Sequence, residues 1–202
     1  MDSKITKIRK KSEVLSRIIK ILLGLTSVFF IIELIYTVFT IFLPSSDLTV
    51  LKLNSGYYIE NSSLYINIAS SVDNNIIHSF DTLAANPKPA LLINLFVALI
   101  ITGLLVAIFY LTNQIFHSIN TDHTPFTIEN AKRIKIIAIL LLIIATVPIL
   151  LQLLLYYLIY LEPGSYTIGS NFALILFSLV FMCLSYIFSY GCDLQQEVDE
   201  TL

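Results

Sequence analysis

The chain has 202 residues, of which 56% are hydrophobic and 13% charged, and a formal net charge of -2. Soluble domains carry roughly 25% charged residues, so a water-soluble globular domain is excluded. The apolar residues gather in long runs rather than at amphipathic spacing, and the amino terminus is basic while the carboxyl terminus is acidic.

The first run, about 18–43 (IIKILLGLTSVFFIIELIYTVFTIFL), is interrupted only by Lys20 near its start and by Glu33. It is longer than the roughly 7–15 apolar residues of a signal peptide, and Leu43-Pro44-Ser45-Ser46 is a poor cleavage site, so it is read as an uncleaved span. Three further runs lie at about 90–111, 134–161 and 171–190. Each is long enough, at about 1.5 Å per residue, to cross roughly 30 Å of hydrocarbon. A backbone in lipid must satisfy its own hydrogen bonds, which makes these runs helices. The fold class is therefore all-α membrane. It is read as a four-transmembrane-helix bundle, one integral membrane domain over 1–202, with an extracytoplasmic β-rich insertion between helices 1 and 2.

That insertion, about 44–89, is the one sizeable piece outside the membrane. Leu48–Leu53 alternates loosely, Asn54-Ser55-Gly56 offers a turn, Tyr57-Tyr58-Ile59 resumes an extended pattern, and Leu64–Ile68 alternates again. The pattern predicts a small β-meander. Past Ser70, the residues Asp73, Asn74 and Asn75 mark a loop, and IIHSFDTLAA predicts a short helix before Pro87 and Pro89 lead into span two. So short a segment lacks the core of an independent domain and is expected to cap the bundle.

The connection at about 112–133 contains Thr124-Pro125-Phe126-Thr127-Ile128-Glu129-Asn130. Thr127 fits an N-cap that accepts the amide of Glu129 or Asn130. Glu129 suits the positive end of the helix, and Phe126 can staple back onto Ala131. The tail, 191–202, leaves the membrane at Gly191. Leu194, Val198 and Leu202 recur every four residues, which fits a short amphipathic helix as well as a solvated tail.

Orientation follows from the cations. Lys4, Lys7, Arg9, Lys10, Lys11, Arg17 and Lys20 precede or enter span one, and Lys132, Arg133 and Lys135 enter span three. Only Lys52 and Lys88 of the 12 fall between spans one and two. Cations gather on the cytoplasmic side, so both termini are expected there, in a multi-pass protein of the cell membrane.

Glu33 lies within span one, where a carboxylate is costly unless it is paired or protonated. Thr26, Thr37 and Thr40 continue its polar stripe. Counting depth along the spans puts Asn94, Gln152, Tyr156 and Ser178 in the same outer half. Pro148, Gln152 and Tyr156 share a face of span three, and Ser178, Ser185 and Ser189 share a face of span four. Two readings stay open: a polar pocket that binds a ligand or takes up a proton at Glu33, and a hydrogen-bond cluster that holds the helices together.

Cys183 and Cys192 match no metal spacing and read as free thiols. His117 and His123 do not share a helical face, so no metal site is expected. No Walker motif, nucleophile elbow, HExxH or dinucleotide fingerprint occurs. The chain is read as non-enzymatic, without cofactor and without direct nucleic-acid contact. Its oligomeric state is left open.

Pro125-Phe126-Thr127 with Glu129-Asn130 and Lys132-Arg133, together with Tyr190-Gly191, Leu194-Gln195 and Glu197-Val198-Asp199-Glu200-Thr201-Leu202, resemble the bacterial four-span family known as domain of unknown function 2975. Four spans in this order agree with it, so the resemblance covers nearly the whole chain. It implies a non-enzymatic protein that is often encoded beside a small helix-turn-helix regulator. On that reading the chain senses a signal or sequesters the regulator at the membrane. The partner surface is then Pro125, Phe126, Thr127, Glu129 and Asn130 with Leu194, Gln195 and Glu197. The alternative is a self-protection (immunity) or transport-accessory protein that recognises a peptide or membrane complex through 44–89. A transporter or intramembrane enzyme built on Glu33 lacks the partner residues such chemistry needs.

Overall fold

A computed structural model describes residues 2–54, 56–61, 69–73, 76–77, 79–122, 126–161 and 171–201. The stretch Leu64–Ile68, read above as a strand, lies outside these residues, as do Asn74, Asn75, His123 and Pro125. The elements are α1 (Asp2–Phe42), β1 (Leu48–Leu53), β2 (Gly56–Asn61), β3 (Ala69–Asp73), α2 (Phe80–Ala85), α3 (Pro87–Asp122), α4 (Ile128–Tyr160) and α5 (Phe172–Thr201). Within the four long helices, Ser12–Phe42, Pro87–Asn120, Ile128–Tyr160 and Phe172–Val198 are apolar and long enough to cross a membrane. The chain is a multi-pass membrane protein with a small sheet inserted after its first spanning helix.

The helices outrun their apolar cores. α3 continues eleven residues past 111, from the end of the apolar run to Asp122, and α5 runs through Gly191 to Thr201. Residues 112–122 of the expected connection, and the expected tail, are thus continuations of spanning helices. A glycine inside a helix costs about 1 kcal/mol relative to alanine, and a structural reason for tolerating Gly191 appears below. At the end of α4, Leu161 takes a left-handed φ of 57°. Its N–H closes back on the Tyr157 carbonyl at 2.9 Å, the conformation that commonly ends a helix.

The chain divides into two compact units, Phe29–Thr102 with Thr146–Ser170, and Met1–Val28 with Gly103–Ala145 and Asn171–Leu202. In the first unit the sheet has the order β1-β2-β3. β1 pairs antiparallel with β2 (Val50 opposite Ile59, Leu51 opposite Tyr58), and β2 with β3 (Tyr57 opposite Val72, Ile59 opposite Ser70). Period-two alternation gives the sheet an inner face of Leu48, Val50, Lys52, Tyr57, Ile59, Asn61, Ser70 and Val72, with Lys52 exposed at its edge. Of these, Leu48, Tyr57, Ile59 and Val72 are buried in one core with Leu83, Ala90, Leu91, Ile93, Val97, Tyr156 and Tyr160. The insertion therefore shares the helices' core, as a segment too short for its own must.

The loop expected past Ser70 is strand as far as Asp73. Burying Val72 outweighs the turn preference of the polar residues around it. The expected short helix is present as α2, with the Ser79 side chain accepting the Thr82 amide at 3.3 Å.

Candidate functional site

Asn94 sits at the centre of a polar hub in the first unit. Its Oδ1 accepts from Gln152 Nε2 at 2.9 Å and from the Tyr156 hydroxyl at 2.9 Å. Its Nδ2 donates to Ser70 Oγ at 2.6 Å and to the Ser71 carbonyl at 3.2 Å. One amide thus joins α3 to both α4 and β3, with both its donors and its acceptor used. Four residues further along α4, the Tyr160 hydroxyl donates to the Asn86 carbonyl at 2.6 Å and accepts the Ala90 amide at 3.1 Å. Helix starts leave amides unpaired, and Pro87 and Pro89 have none to offer, so Tyr160 serves one that α3 leaves over. Tyr160, Asn86 and Ser70 were missed from sequence; the spacing of four through Pro148, Gln152 and Tyr156 extends to Tyr160 and could have found it.

Glu33 does not join this hub. Its Oε2 accepts from the Thr102 hydroxyl at 2.7 Å. Thr102 and Asn94 are eight residues apart on α3, about 12 Å along a helix, so carboxylate and hub lie at different levels. Depth counted from the ends of apolar runs blurs that distance, because the helices extend beyond those runs by unequal amounts. The threonines of the expected stripe bond to their own helix, Thr37 to the Glu33 carbonyl and Thr40 to the Tyr36 carbonyl. Ser178 belongs to the other unit, and its hydroxyl donates to the Ile175 carbonyl. Thr102→Val should therefore lower stability by about 1 kcal/mol. Glu33→Gln, whose amide oxygen can still accept from Thr102, should stay close to the parent. Denaturation in mixed micelles measures both, and equal losses would show that this bond is not what Glu33 contributes.

The second unit carries a different arrangement. Thr127 caps α4, its Oγ1 accepting the Asn130 amide at 3.2 Å, as its position predicts. Asn130, expected on a partner surface, is fully buried. Its Nδ2 donates to Ser118 Oγ at 3.1 Å, and its Oδ1 accepts from Arg133 at 2.9 Å. It therefore supports the surface from beneath rather than forming part of it. Phe126 packs on α5, with its ring centroid 5.2 Å from that of Phe188 at 43°. A Cβ at Gly191 would stand 2.7 Å from the Phe126 ring, which is why α5 carries a glycine there. Beside this contact, Ser185 Oγ donates to the Ala131 carbonyl at 3.0 Å.

Where α4 begins beside the end of α5, an open groove of about 440 Å³ is lined by Phe126, Thr127, Ile128, Glu129, Cys192, Gln195, Gln196 and Glu200. Glu200 is held at its rim by Gln196 Nε2, 2.9 Å from the carboxylate. Phe126, Thr127, Glu129 and Gln195 of the expected surface thus meet in one groove. Leu194 is exposed, as is Glu197, but neither lines it. Ile128, Cys192, Gln196 and Glu200 lie in the expected segments but were not singled out, since nothing in the sequence fixes how the end of α5 is rotated. The groove offers carboxylates, amides and an aromatic face, a chemistry suited to holding a polypeptide.

A family model described as "Protein of unknown function (DUF2975)" matches residues 63–202. The match takes in α3, α4 and α5 with both walls of the groove, and leaves out α1 with Glu33, so it is narrower than the near-complete coverage the motifs suggested. No curated protein and no solved structure matches the chain.

Proposed function

The chain belongs to the DUF2975 family, and on that premise we propose that it is a non-enzymatic membrane sensor or sequestering partner of a cytoplasmic helix-turn-helix regulator. The groove is the docking surface. What supports the reading is that this groove unites the two separated segments, around Phe126–Glu129 and Gln195–Glu200, that carry the family resemblance. The cation count supports the orientation: with ten of the 12 Lys and Arg residues on the side of the amino terminus, both termini and the groove face the cytoplasm, and the protein sits in the cell membrane. Regulator held in the groove is regulator kept from DNA, and a signal that alters the helices releases it.

The test is co-expression with the product of the neighbouring gene, followed by purification from membranes. The parent chain should retain the regulator, and Phe126→Ala should reduce retention about tenfold, the effect of losing about 1.4 kcal/mol of binding. Retention that is indifferent to Phe126, or absent altogether, would sink the proposal.

The second reading, a self-protection or transport-accessory protein that recognises a peptide or membrane complex, draws support from the exposed Leu51 and Leu53 of the insertion. Deleting 44–89 cannot test it cleanly, because the sheet shares the helices' core. Point changes on the outer face of the sheet are the proper probe.

A further inference from the structure

The outer face of the sheet has two halves. Alternation places Thr49, Leu51 and Leu53 of β1, Tyr58 and Glu60 of β2, and Ser71 and Asp73 of β3 on this face, with Leu51 directly opposite Tyr58. The β3 side is polar. The β1 side carries Leu51 at 47% and Leu53 at 49% exposure, with the half-buried ring of Tyr58 between the strands. Leu51 and Leu53 with the ring of Tyr58 form one contiguous apolar strip on a face whose other members are polar, and apolar area gains by leaving water.

The depth of the sheet supplies one. Lys88 Nζ donates to the Ile41 carbonyl at 2.8 Å, which levels the start of α3 with the end of α1, where apolar sequence gives way to Pro44-Ser45-Ser46. From Lys88 to Asn94 is six residues, about 9 Å along α3 into the spanning direction. Asn94 in turn holds Ser70 and Ser71 of β3. The sheet is therefore fastened beside the spanning helices below the point where α1 ends, rather than standing clear of them in water. β1 follows α1 after a short link with a 3-10 turn at Ser45–Asp47, and the last residue of α1, Phe42, is 80% exposed.

We propose that the β1 side of this sheet lies in the bilayer interface, with Leu51 and Leu53 among the upper acyl chains and Tyr58 at headgroup level. The occupant of the face is lipid. Tyrosine favours that level because its ring is apolar and its hydroxyl is wet, and Glu60, Ser71 and Asp73 keep the other half of the face toward water. The insertion then extends the membrane-contacting surface of the helices. Anything dissolved in the outer interface, such as an amphipathic peptide, would meet it there.

The chain contains no tryptophan, so Leu53→Trp introduces a single reporter into the full-length protein reconstituted in phosphatidylcholine vesicles. Leu51→Trp serves as a second, independent variant, and Phe42→Trp, at an 80% exposed position at the end of α1, sets the signal for lipid contact near the same level. Lipids brominated near the headgroup should roughly halve the emission of both β1 reporters, while aqueous iodide changes it little, as expected for an interfacial ring. Quenching by iodide without quenching by brominated lipid would place the face in water and overturn the proposal. Quenching by neither would mean that protein covers it, which overturns the proposal equally and favours a peptide or second copy as occupant.

Discussion

Replacing Asn94 with leucine is expected to destabilise the chain more than any other single change in the polar hub, by about 2–4 kcal/mol. The figure follows from what is left behind, since several half-buried polar groups lose partners together, each at up to the roughly 1–3 kcal/mol of an unsatisfied group. Without the amide, Gln152 Nε2 loses its bond and Tyr156 keeps only the longer contact, 3.3 Å, to the Ala90 carbonyl. Ser70 and the Ser71 carbonyl lose the donor that fastens β3 to α3. Gln152→Leu removes a single donor and should cost about 1 kcal/mol, nearer the range of interhelical bonds in membranes. Asn94→Asp separates the two halves of the hub. Its carboxylate still accepts from Gln152 and Tyr156, but it sets an acceptor against the Ser71 carbonyl, so the sheet should loosen while the α3–α4 contact remains. Thermal melts in detergent give the order, and proteolysis within 44–89 reports release of the sheet. Equal melting shifts for Asn94→Leu and Gln152→Leu would show that Asn94 is no hub.

The hub also shows how far the sequence carries. Asn94, Gln152 and Tyr156 could be paired beforehand because polar side chains in apolar runs need partners and a spacing of four aligns them on one face. The four spans were readable for a related reason: lipid admits few backbone solutions, so apolar length alone specifies helix. Glu33 was misassigned because a depth count resolves levels only to within a turn or two, and Thr102, a small hydroxyl among aliphatics, gives no signal of its own. The strand at Ala69–Asp73 was not read because Ser70, Ser71 and Asp73 favour a turn locally, whereas pairing with β2 is a non-local gain. Asn130 shows the opposite difficulty. Its motif marked it as important, but motif membership does not distinguish a residue that touches a partner from one buried beneath the contact.

Gly191→Ala should have an effect on stability whose sign depends on Phe126. Inside α5, alanine is a better helix former than glycine by about 1 kcal/mol, so considered alone the change stabilises. With Phe126 in place, however, the new Cβ would lie 2.7 Å from its ring. The ring is 40% exposed and can swing outward, giving up its contact with Phe188, and such aromatic pairs contribute about 0.5–1.5 kcal/mol. Gain and loss then nearly cancel, and Gly191→Ala should melt within about 1 kcal/mol of the parent. In a Phe126→Ala background the obstacle is gone, and the same change should stabilise by about 1 kcal/mol. The two positions are therefore non-additive, as residues in contact are expected to be. Retention of the regulator should follow the position of the ring rather than stability: Gly191→Ala, Phe126→Ala and the double variant should each lose it about tenfold, although the first is as stable as the parent. If Gly191→Ala retains the regulator fully while its ring is displaced, as fluorine resonances from labelled phenylalanine would report, the groove next to Phe126 is not the docking surface.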